Sequence, residues 1–329
     1  MMLSTTGRRS WMALALALAG LFTAFSSVAA EPFPSRPIRF IVPFPPGGTV
    51  DPLARLIGAK LTASLGQQVI VDNRTGGSGV IGTSIAAKAN PDGYTYVFVF
   101  DTHGVNPSLV PKMPFDTLKD LAPVMLVGRA PYALVTHPKK PFRTLDDVIR
   151  AAKSKPDTLT YGTVGAGSIG HLALVLAEQA GGFKLVHVPY KGGGPMTAAV
   201  LGGQIDLGIG SSALMTPLVN DKRVVAIAVT GDARAKTLPD VPTFQELGYK
   251  GVSAYAWWGI FTPAGIPRDV LKKMHAEIGK AVNAPDVREH LADRIGMELI
   301  VSSPEALGDW TRTEVQRWAK LIRANNIKP

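Results

Sequence analysis

The pattern of apolar and polar residues near the start of the chain predicts a strand, a tight loop and a helix. An apolar run from Ile38 to Val42 stops at a loop rich in proline and glycine, and apolar residues then return with helical spacing from Leu53 to Leu61. Thr49, or Asp51 followed by a proline, is a candidate helix cap.

This loop is a candidate anion site. Gly47 and Gly48 let the backbone come close to a ligand, and the positive end of a helix favours a negative group. The alternative is a structural turn with nothing bound, and this stretch alone does not separate the two interpretations.

The same pattern recurs along the chain. Strands predicted at Gln68–Asn73 and Tyr94–Phe100 are each followed by a loop of small and polar residues. Three such units in a row predict a parallel sheet with right-handed crossovers. Ligands of such sheets bind outside the carboxyl ends of the strands, where these loops lie.

A second lobe is predicted after residue 128. The strands Pro123–Val127 and Tyr132–Thr136 flank a break at Gly128–Pro131, strands and helices then alternate up to Thr230, and one crossing back near Gly231 suffices. The last third is helical, with predicted helices at Pro267–Val282, Pro285–Ile295 and Pro304–Ala324. The sequence therefore predicts an α/β clamshell of two lobes, each a mainly parallel sheet flanked by helices. Lobe 1 comprises 31–128 and 232–329, and lobe 2 comprises 129–231.

The first thirty residues predict a secretory signal peptide that is cleaved near Ala30. Arg8 and Arg9 precede an apolar run, and small residues follow it. The run is too short for a membrane span. The paired arginines fit an ordinary export signal better than a twin-arginine signal, but the export route stays open.

The composition narrows the chemistry of the exported protein. The chain has no cysteine, which excludes disulfides and thiolate catalysis. Removing Arg8 and Arg9 from 35 basic residues leaves 33 against 25 acidic ones, a net charge of +8 that suits an acidic ligand. The basic residues are scattered without a recognition motif, so we expect no nucleic-acid partner. No histidine pair has metal-ligand spacing, and we expect neither a metal nor a cofactor.

Lobe 2 has its own glycine-rich loop. Ser168 is a candidate N-cap for the helix that follows, so two positive helix ends, one from each lobe, are expected to face one cleft. That arrangement fits a solute with a carboxylate at one or both ends. The spacing Gly165-x-Gly167-x-x-Gly170 also matches a dinucleotide fingerprint, but no acidic residue ends the next strand to bind a ribose.

Ser168 and His171 raise the alternative of an exported hydrolase, because residues three apart on a helix are neighbours. Such an enzyme also needs a strained elbow and an orienting acid, which the sequence lacks, so binding is favoured. His171 and His103 are each either cleft-facing or merely structural. Lys191, beside Tyr190, offers an ammonium group, with a flexible connection as the alternative.

The ordered motifs of the mature chain resemble one family. They are Pro43-Phe-Pro-Pro-Gly-Gly48 with Asp51, Asn73-Arg74, Pro91-Asp-Gly-Tyr-Thr95, His103-x-x-Asn-Pro-Ser-Leu109, Val188-Pro-Tyr-Lys-Gly192, Leu201-x-Gly-x-x-Asp206, Leu238-Pro-Asp-Val-Pro-Thr243 and Pro263-Ala-Gly265. This set resembles the solute receptors of tripartite tricarboxylate transporters, also called Bug-type receptors. The resemblance implies a periplasmic binding protein of the type II-like clamshell class that delivers small carboxylates to a membrane permease.

In that family, loops equivalent to Phe44–Asp51 and Thr163–His171 hold the ligand. Asp51 and Asp206 are expected either to orient loop amides or to accept a hydrogen bond from a ligand amine or from water. The predicted ligand-binding residues are Phe44, Gly47, Gly48, Thr49, Asp51, Gly77, Ser78, Thr102, His103, Thr163, Gly165, Ser168, His171, Tyr190, Lys191, Asp206 and Ser211.

Two departures from the family pattern bear on the ligand. Thr75–Gly79 and Gly210–Ser212 replace commoner segments, and the second lacks an Asn that would help to hold an α-ammonium group. We therefore expect a dicarboxylate rather than an amino acid. Phe44, Trp257 and Trp258 make a flat aromatic diacid a reasonable subclass. One tryptophan is expected in the core, and a place for the other in the cleft wall is the less favoured alternative. We expect a monomer whose partner is a permease, with a membrane sensor kinase as the alternative.

Overall fold

Strands and helices alternate along the chain in the computed structural model, which describes residues 33–325 and Ile327. The predicted signal peptide lies outside these residues. From Arg36 onward the chain forms one compact unit. Its strands are β1 (Ile38–Val42), β2 (Val69–Asn73), β3 (Thr95–Phe100), β4 (Leu121–Thr136), β5 (Thr160–Thr163), β6 (Val186–Pro189), β7 (Leu207–Ser211), β8 (Val225–Val229), β9 (Tyr255–Pro263) and β10 (Glu298–Leu299).

Helices flank this sheet. They are α1 (Val50–Leu65), α2 (Val80–Ala87), α3 (Thr102–Leu109), α4 (Leu145–Ser154), α5 (Ile169–Gly181), α6 (Gly193–Leu201), α7 (Ser212–Asn220), α8 (Arg268–Val282), α9 (Pro285–Arg288) and α10 (Pro304–Ala324). A single 3₁₀ turn, Gly77–Gly79, precedes α2, and a π-helical segment, Glu289–Arg294, follows α9. The three helices predicted for the last third of the chain are therefore confirmed.

The strand order explains the two lobes. It is β2-β1-β3-β9-β4-β7-β5-β6, with β8 and β10 also beside β4. We call the part around β1, β2, β3 and β9 lobe 1 and the part around β5 to β8 lobe 2. β1 is parallel to β2 and β3, and β5 is parallel to β6 and β7, which confirms the predicted parallel ladders. The centre is antiparallel, because β4 runs opposite to β9, β7 and β8.

The predicted break at Gly128–Pro131 is wrong, because β4 runs unbroken through it. Its residues up to Pro131 pair with β9, and Tyr132 begins the pairing with β7. Pro131 has no N–H to donate, and it lies where one ladder ends and the next begins. The strand therefore changes lobes without interruption at this point.

The connection that returns from lobe 2 to lobe 1 is longer than the single crossing predicted near Gly231. After β8, Thr243 still bridges Val229, and the Phe244 amide donates to the Val229 carbonyl at 2.9 Å. The Ala254 amide then donates to the Thr230 carbonyl at 3.1 Å, and β9 begins at the next residue. The residue boundaries given above for the lobes remain predictions.

One predicted loop is a helix. Residues after Asp101 form α3, which contains Pro107 and ends at Leu109. The helix packs its buried face against α10, a contact between distant parts of the sequence that local pattern does not reveal. Within the described range, no helix has both the length and the apolar character of a membrane span.

Candidate functional site

A cavity of about 250 Å³ lies between the lobes, at the carboxyl ends of β1, β2, β5 and β6. This is the sheet edge at which the sequence predicts a ligand. Lobe 1 lines it with Pro43, Phe44, Gly76, Gly77, Ser78 and Gly79, and lobe 2 lines it with Val164, Gly165, Ala166, Pro189, Tyr190 and Lys191. The structure thus brings together the predicted residues Phe44, Gly77, Ser78, Gly165, Tyr190 and Lys191.

The cavity favours a small anion. Lys191 is the one charged side chain among the described residues that line it, and none of those residues is an acid. Phe44 and Tyr190 supply aromatic surface from opposite lobes. Ligand pockets commonly measure about 300–1,000 Å³, so this cavity suits a molecule at the small end of that range.

The loop before α1 is held from behind by a charged network. Asp51 pairs with Arg55 at 2.9 Å, and the Asn73 side-chain amide donates both to Asp51 and to the Phe44 carbonyl. Burial raises the pKa of the Asp51 carboxyl, but the hydrogen bonds from Arg55 and Asn73 outweigh it and leave the pKa lowered. Asp51 therefore orients the loop, as predicted, rather than facing the cavity.

The predicted capping of α1 is wrong in its mechanism. Thr49 occupies the N-cap position, but its side chain caps no amide, and Asp51 lies inside the first turn. The Thr49 hydroxyl instead accepts a hydrogen bond of 2.9 Å from the Trp258 indole. Trp257 and Trp258 are both fully buried, so neither forms a wall of the cleft.

Ser78 projects from lobe 1 towards lobe 2. It has a left-handed backbone with φ of 51°, which is uncommon for a residue other than glycine. Thr102 and Asn106 hold it there, because their side chains donate to its carbonyl at 2.8 and 3.1 Å. Its own hydroxyl donates to the Ala166 carbonyl at 3.4 Å. Thr102 thus supports the site from behind.

The lobes also touch through glycines. A Cβ on Gly194 would lie 2.7 Å from the Pro46 carbonyl oxygen, and one on Gly47 would lie 3.4 Å from the Gly194 Cα. Gly48 faces Gly193 at a slightly greater distance. Thr49 and Ser211 border a second, much smaller space of about 20 Å³ beside this contact. Gly47 and Gly48 therefore allow close approach of the other lobe.

Two stacked histidines support the lobe 2 loop from behind. The rings of His171 and His187 lie 3.9 Å apart, His171 Nδ1 accepts from the Gly167 amide at 3.1 Å, and His187 Nε2 lies 2.8 Å from the Thr163 hydroxyl. Burial lowers the pKa of His171 to about 4, and burial together with His171 lowers that of His187 to about 3. Both rings are neutral near pH 7.

Ser168 and His171 do not form a nucleophile and base. The Ser168 hydroxyl is buried and caps α5 by accepting from the His171 amide at 3.4 Å, which confirms the predicted N-cap. The Nδ1 of His171 already accepts a hydrogen bond from the Gly167 amide. Neither side chain lines the cavity, and the geometry removes the hydrolase alternative.

Two further candidates do not line this cavity, and their contact with a ligand stays a prediction. His103 borders a tight adjoining space together with Phe44 and Ser78. His103 is buried between Phe115 and Phe261, and burial lowers its pKa to about 3. Asp206 precedes β7, at the opposite end of that strand from the cleft, and pairs with Lys140 at 2.6 Å. Ser211, at the cleft end of the same strand, caps α7 by accepting from the Leu214 amide at 3.3 Å.

The list of candidates omitted several residues that shape the site. Asn73 and Asn106 fix the two lobe 1 loops, and His187 contacts the Thr163 hydroxyl at the start of the lobe 2 loop. Asn73 and Asn106 both belong to motifs quoted above. Their position beside a strand end and within His103-x-x-Asn is the sequence signal that points to them.

Comparison with known proteins identifies the architecture. Residues 53–327 match the family model described as the tripartite tricarboxylate transporter family receptor. Protein BugT of Bordetella pertussis is 35% identical over 319 residues, which cover 95% of this chain and 98% of that protein.

Two solved structures from Rhodopseudomonas palustris have the same fold. Rpa4515 with adipate is 32% identical, with a TM-score of 0.86 over 90% of this chain and 99% of that one. MatC with bound malate is 30% identical, with a TM-score of 0.82 over 88% and 100%.

Proposed function

Because the chain belongs to the family of tripartite tricarboxylate transporter receptors, we propose that it captures a small dicarboxylate between its lobes for a membrane permease of that type. The family consists of periplasmic solute-binding receptors and is not catalytic, which implies a periplasmic location. In this proposal the protein acts as a monomer, lobe 1 comprises 31–128 and 232–329, and lobe 2 comprises 129–231.

The observation that carries the proposal is the charge of the cavity between the lobes. Lys191 faces it without a competing acid among the described lining residues. The small volume of about 250 Å³ suits a short diacid. Two structural neighbours, described with adipate and with malate, give independent support for this ligand class.

An aromatic diacid is a second ligand subclass to test. Phe44 and Tyr190 line opposite walls, and Phe44 packs edge-on against Phe100 at 6.0 Å. A flat ring between such walls gains aromatic contact as well as burial. The buried tryptophans lend this subclass no support.

A melting screen tests the proposal. Adipate, malate and a benzene dicarboxylate should each be compared with the matching monoacid and monoamide at one pH, with amino acids and sugars as controls. A ligand at 100 times its Kd stabilises by about 2.7 kcal/mol, which raises the melting temperature by several degrees. A clear shift with a sugar and none with any carboxylate would overturn the proposal.

Substitution of Lys191 tests whether a ligand that raises the melting temperature binds in this cavity. Lys191→Ala should weaken binding of the best diacid by about tenfold or more, because hydrogen bonds to charged groups contribute roughly 1.5–3 kcal/mol. Lys320→Ala, an exposed lysine on α10, is the matched control. Equal loss of affinity in both variants would indicate a general charge effect instead.

A further inference from the structure

A buried carboxyl group joins the two lobes behind the cavity. Asp101 follows β3 in lobe 1 and is fully buried. Its Oδ2 accepts a short hydrogen bond from the Tyr132 hydroxyl. Tyr132 pairs with Ser211 of β7, so it lies on the lobe 2 side of the point where β4 changes partners.

Tyr132 also contacts the start of α5. A Cβ on Gly170 would lie 2.8 Å from the tyrosine ring, so the glycine is what allows the ring to lie against the helix. The backbone amides of Thr102 and Ile169 lie close enough to the Asp101 carboxyl to favour its charged form. The helix end at which we expected a ligand carboxylate therefore faces a carboxyl group of the protein itself.

The surroundings of Asp101 are otherwise unfavourable to a carboxylate. Burial raises its pKa well above the ordinary value, and Glu314 of α10, also buried, raises it further. Its Oδ1 has no hydrogen-bond partner among the described residues. A buried carboxyl group with one oxygen unpaired is costly, and from lobe 2 the Tyr132 hydroxyl and the Ile169 amide offset part of that cost.

We propose that Asp101 is a positioning residue for the ligand site, which links lobe 1 to Tyr132 and the start of α5 and so stabilises the closed arrangement. This inference rests on the proposed function, since closure serves ligand capture. Tyr132 and Ile169 both belong to lobe 2, so the contact joins opposite lobes. A rotation of α5 away from β3 removes the part of it that Ile169 makes. The α5 start carries the loop Val164–Ala166 that lines the cavity, so the same contact sets where that loop lies.

The sharpest variant is Tyr132→Phe, which removes the hydroxyl and keeps the ring. Its matched control is Tyr96→Phe on β3, another buried tyrosine, whose hydroxyl has no partner within the described residues. The diacid that raises the melting temperature of the wild type most is the probe. Tyr132→Phe should raise the Kd by about tenfold, because closure of the lobes around the ligand becomes less favourable. Tyr96→Phe should keep a Kd near that of the wild type.

Small-angle scattering of the ligand-free protein separates a positioning role from a merely structural one. A loss of stability alone leaves the radius of gyration of the folded protein unchanged. Tyr132→Phe should have a larger radius of gyration than wild type and Tyr96→Phe. Asp101→Ala should give the same two effects, and the double variant should be little worse than either single one, because one contact is lost in all three. Tyr132→Phe keeps the test valid if Asp101→Ala does not fold.

The outcomes separate this inference from the proposed function. A wild-type Kd and radius of gyration in Tyr132→Phe overturn the role of Asp101, even if its melting temperature falls. If no carboxylate binds the wild type, the proposed function fails. The ligand-free radii of the two tyrosine variants still decide whether the contact holds the lobes together.

Discussion

At the scale of single residues, the contact between the lobes depends on glycine. Gly194→Ala would place a Cβ 2.7 Å from the Pro46 carbonyl of the other lobe, whereas Gly48→Ala would meet Gly193 only at 3.8 Å. Overpacking of this kind costs about 1–3 kcal/mol. We expect Gly194→Ala to weaken diacid binding by about 5- to 150-fold, measured by titration calorimetry. Gly48→Ala should bind nearly as the wild type does.

The buried ring of His171 should make the folding stability depend on pH. The unfolded chain binds a proton at His171 near pH 6.5, while the folded protein does not until about pH 4, because burial lowers the pKa. Between these values the contribution of His171 to the stability of the wild type therefore falls with the pH, by up to about 1.4 kcal/mol per pH unit. His171→Gln should lack this component.

The wild type and His171→Gln must be compared at each pH, because other buried groups also change their protonation on unfolding. Burial raises the pKa of Asp101, Glu178 and Glu314, and these groups act in the opposite direction in both proteins. Denaturant unfolding at pH 6.5, 5.5 and 4.5 should show the difference between wild type and His171→Gln shrinking towards acid. A constant difference would mean that His171 is not kept neutral by the fold.

Site residues could be predicted where they follow a strand directly. Phe44, Ser78, Gly165 and Lys191 line the cavity because the carboxyl ends of parallel strands meet at one edge. Asp206 shows the limit of this reasoning. It belongs to a family motif, but it precedes its strand and so lies at the other edge.

At the scale of elements, the start of α5 carries a testable cap. Ser168→Ala removes the hydroxyl that accepts from the His171 amide, and loss of an N-cap costs about 1 kcal/mol. Because the loop Val164–Ala166 leads into this helix, diacid binding should weaken too. Ser303→Ala removes the equivalent cap of α10, away from the cavity, and is the matched control.

Both variants should melt a few degrees below the wild type, and only Ser168→Ala should raise the Kd of the diacid. Equal Kd values in the two variants would show that the cap stabilises α5 without shaping the site. Thermal melts and calorimetry on the same samples give both quantities.

Elements could be predicted where the evidence is local. The proline at the start of α10 predicts its first residue, since a missing N–H is tolerated at that position. β4 was split in two because Gly128 and Pro131 normally interrupt a strand. It is continuous because β9 and β7 share its length, and such partners lie more than 70 residues away in the sequence. The parallel ladders could be predicted because successive strand and helix units form them. The antiparallel centre of the sheet could not, because it joins strands that are distant in the sequence.

At the scale of the whole molecule, the structure shows lobes in contact around the cavity. Ser78 reaches Ala166, and the Gly47 loop meets Gly194. A ligand cannot pass between the backbones at these two contacts, so we expect the lobes to separate as it enters. The two crossings, at Pro131–Tyr132 in β4 and between Thr230 and Ala254, are the connections about which they can turn.

We therefore predict that the free protein in solution exchanges between this closed arrangement and a more open one, and that the diacid shifts this equilibrium towards the closed one. Scattering profiles should show a smaller radius of gyration at saturating diacid, approaching the value calculated from the closed lobes. The matching monoamide at equal concentration is the control, because it lacks the second charge and should leave the radius nearly unchanged. A radius unaffected by a diacid that raises the melting temperature would mean that the lobes already meet without ligand. In that case, binding would require only brief opening.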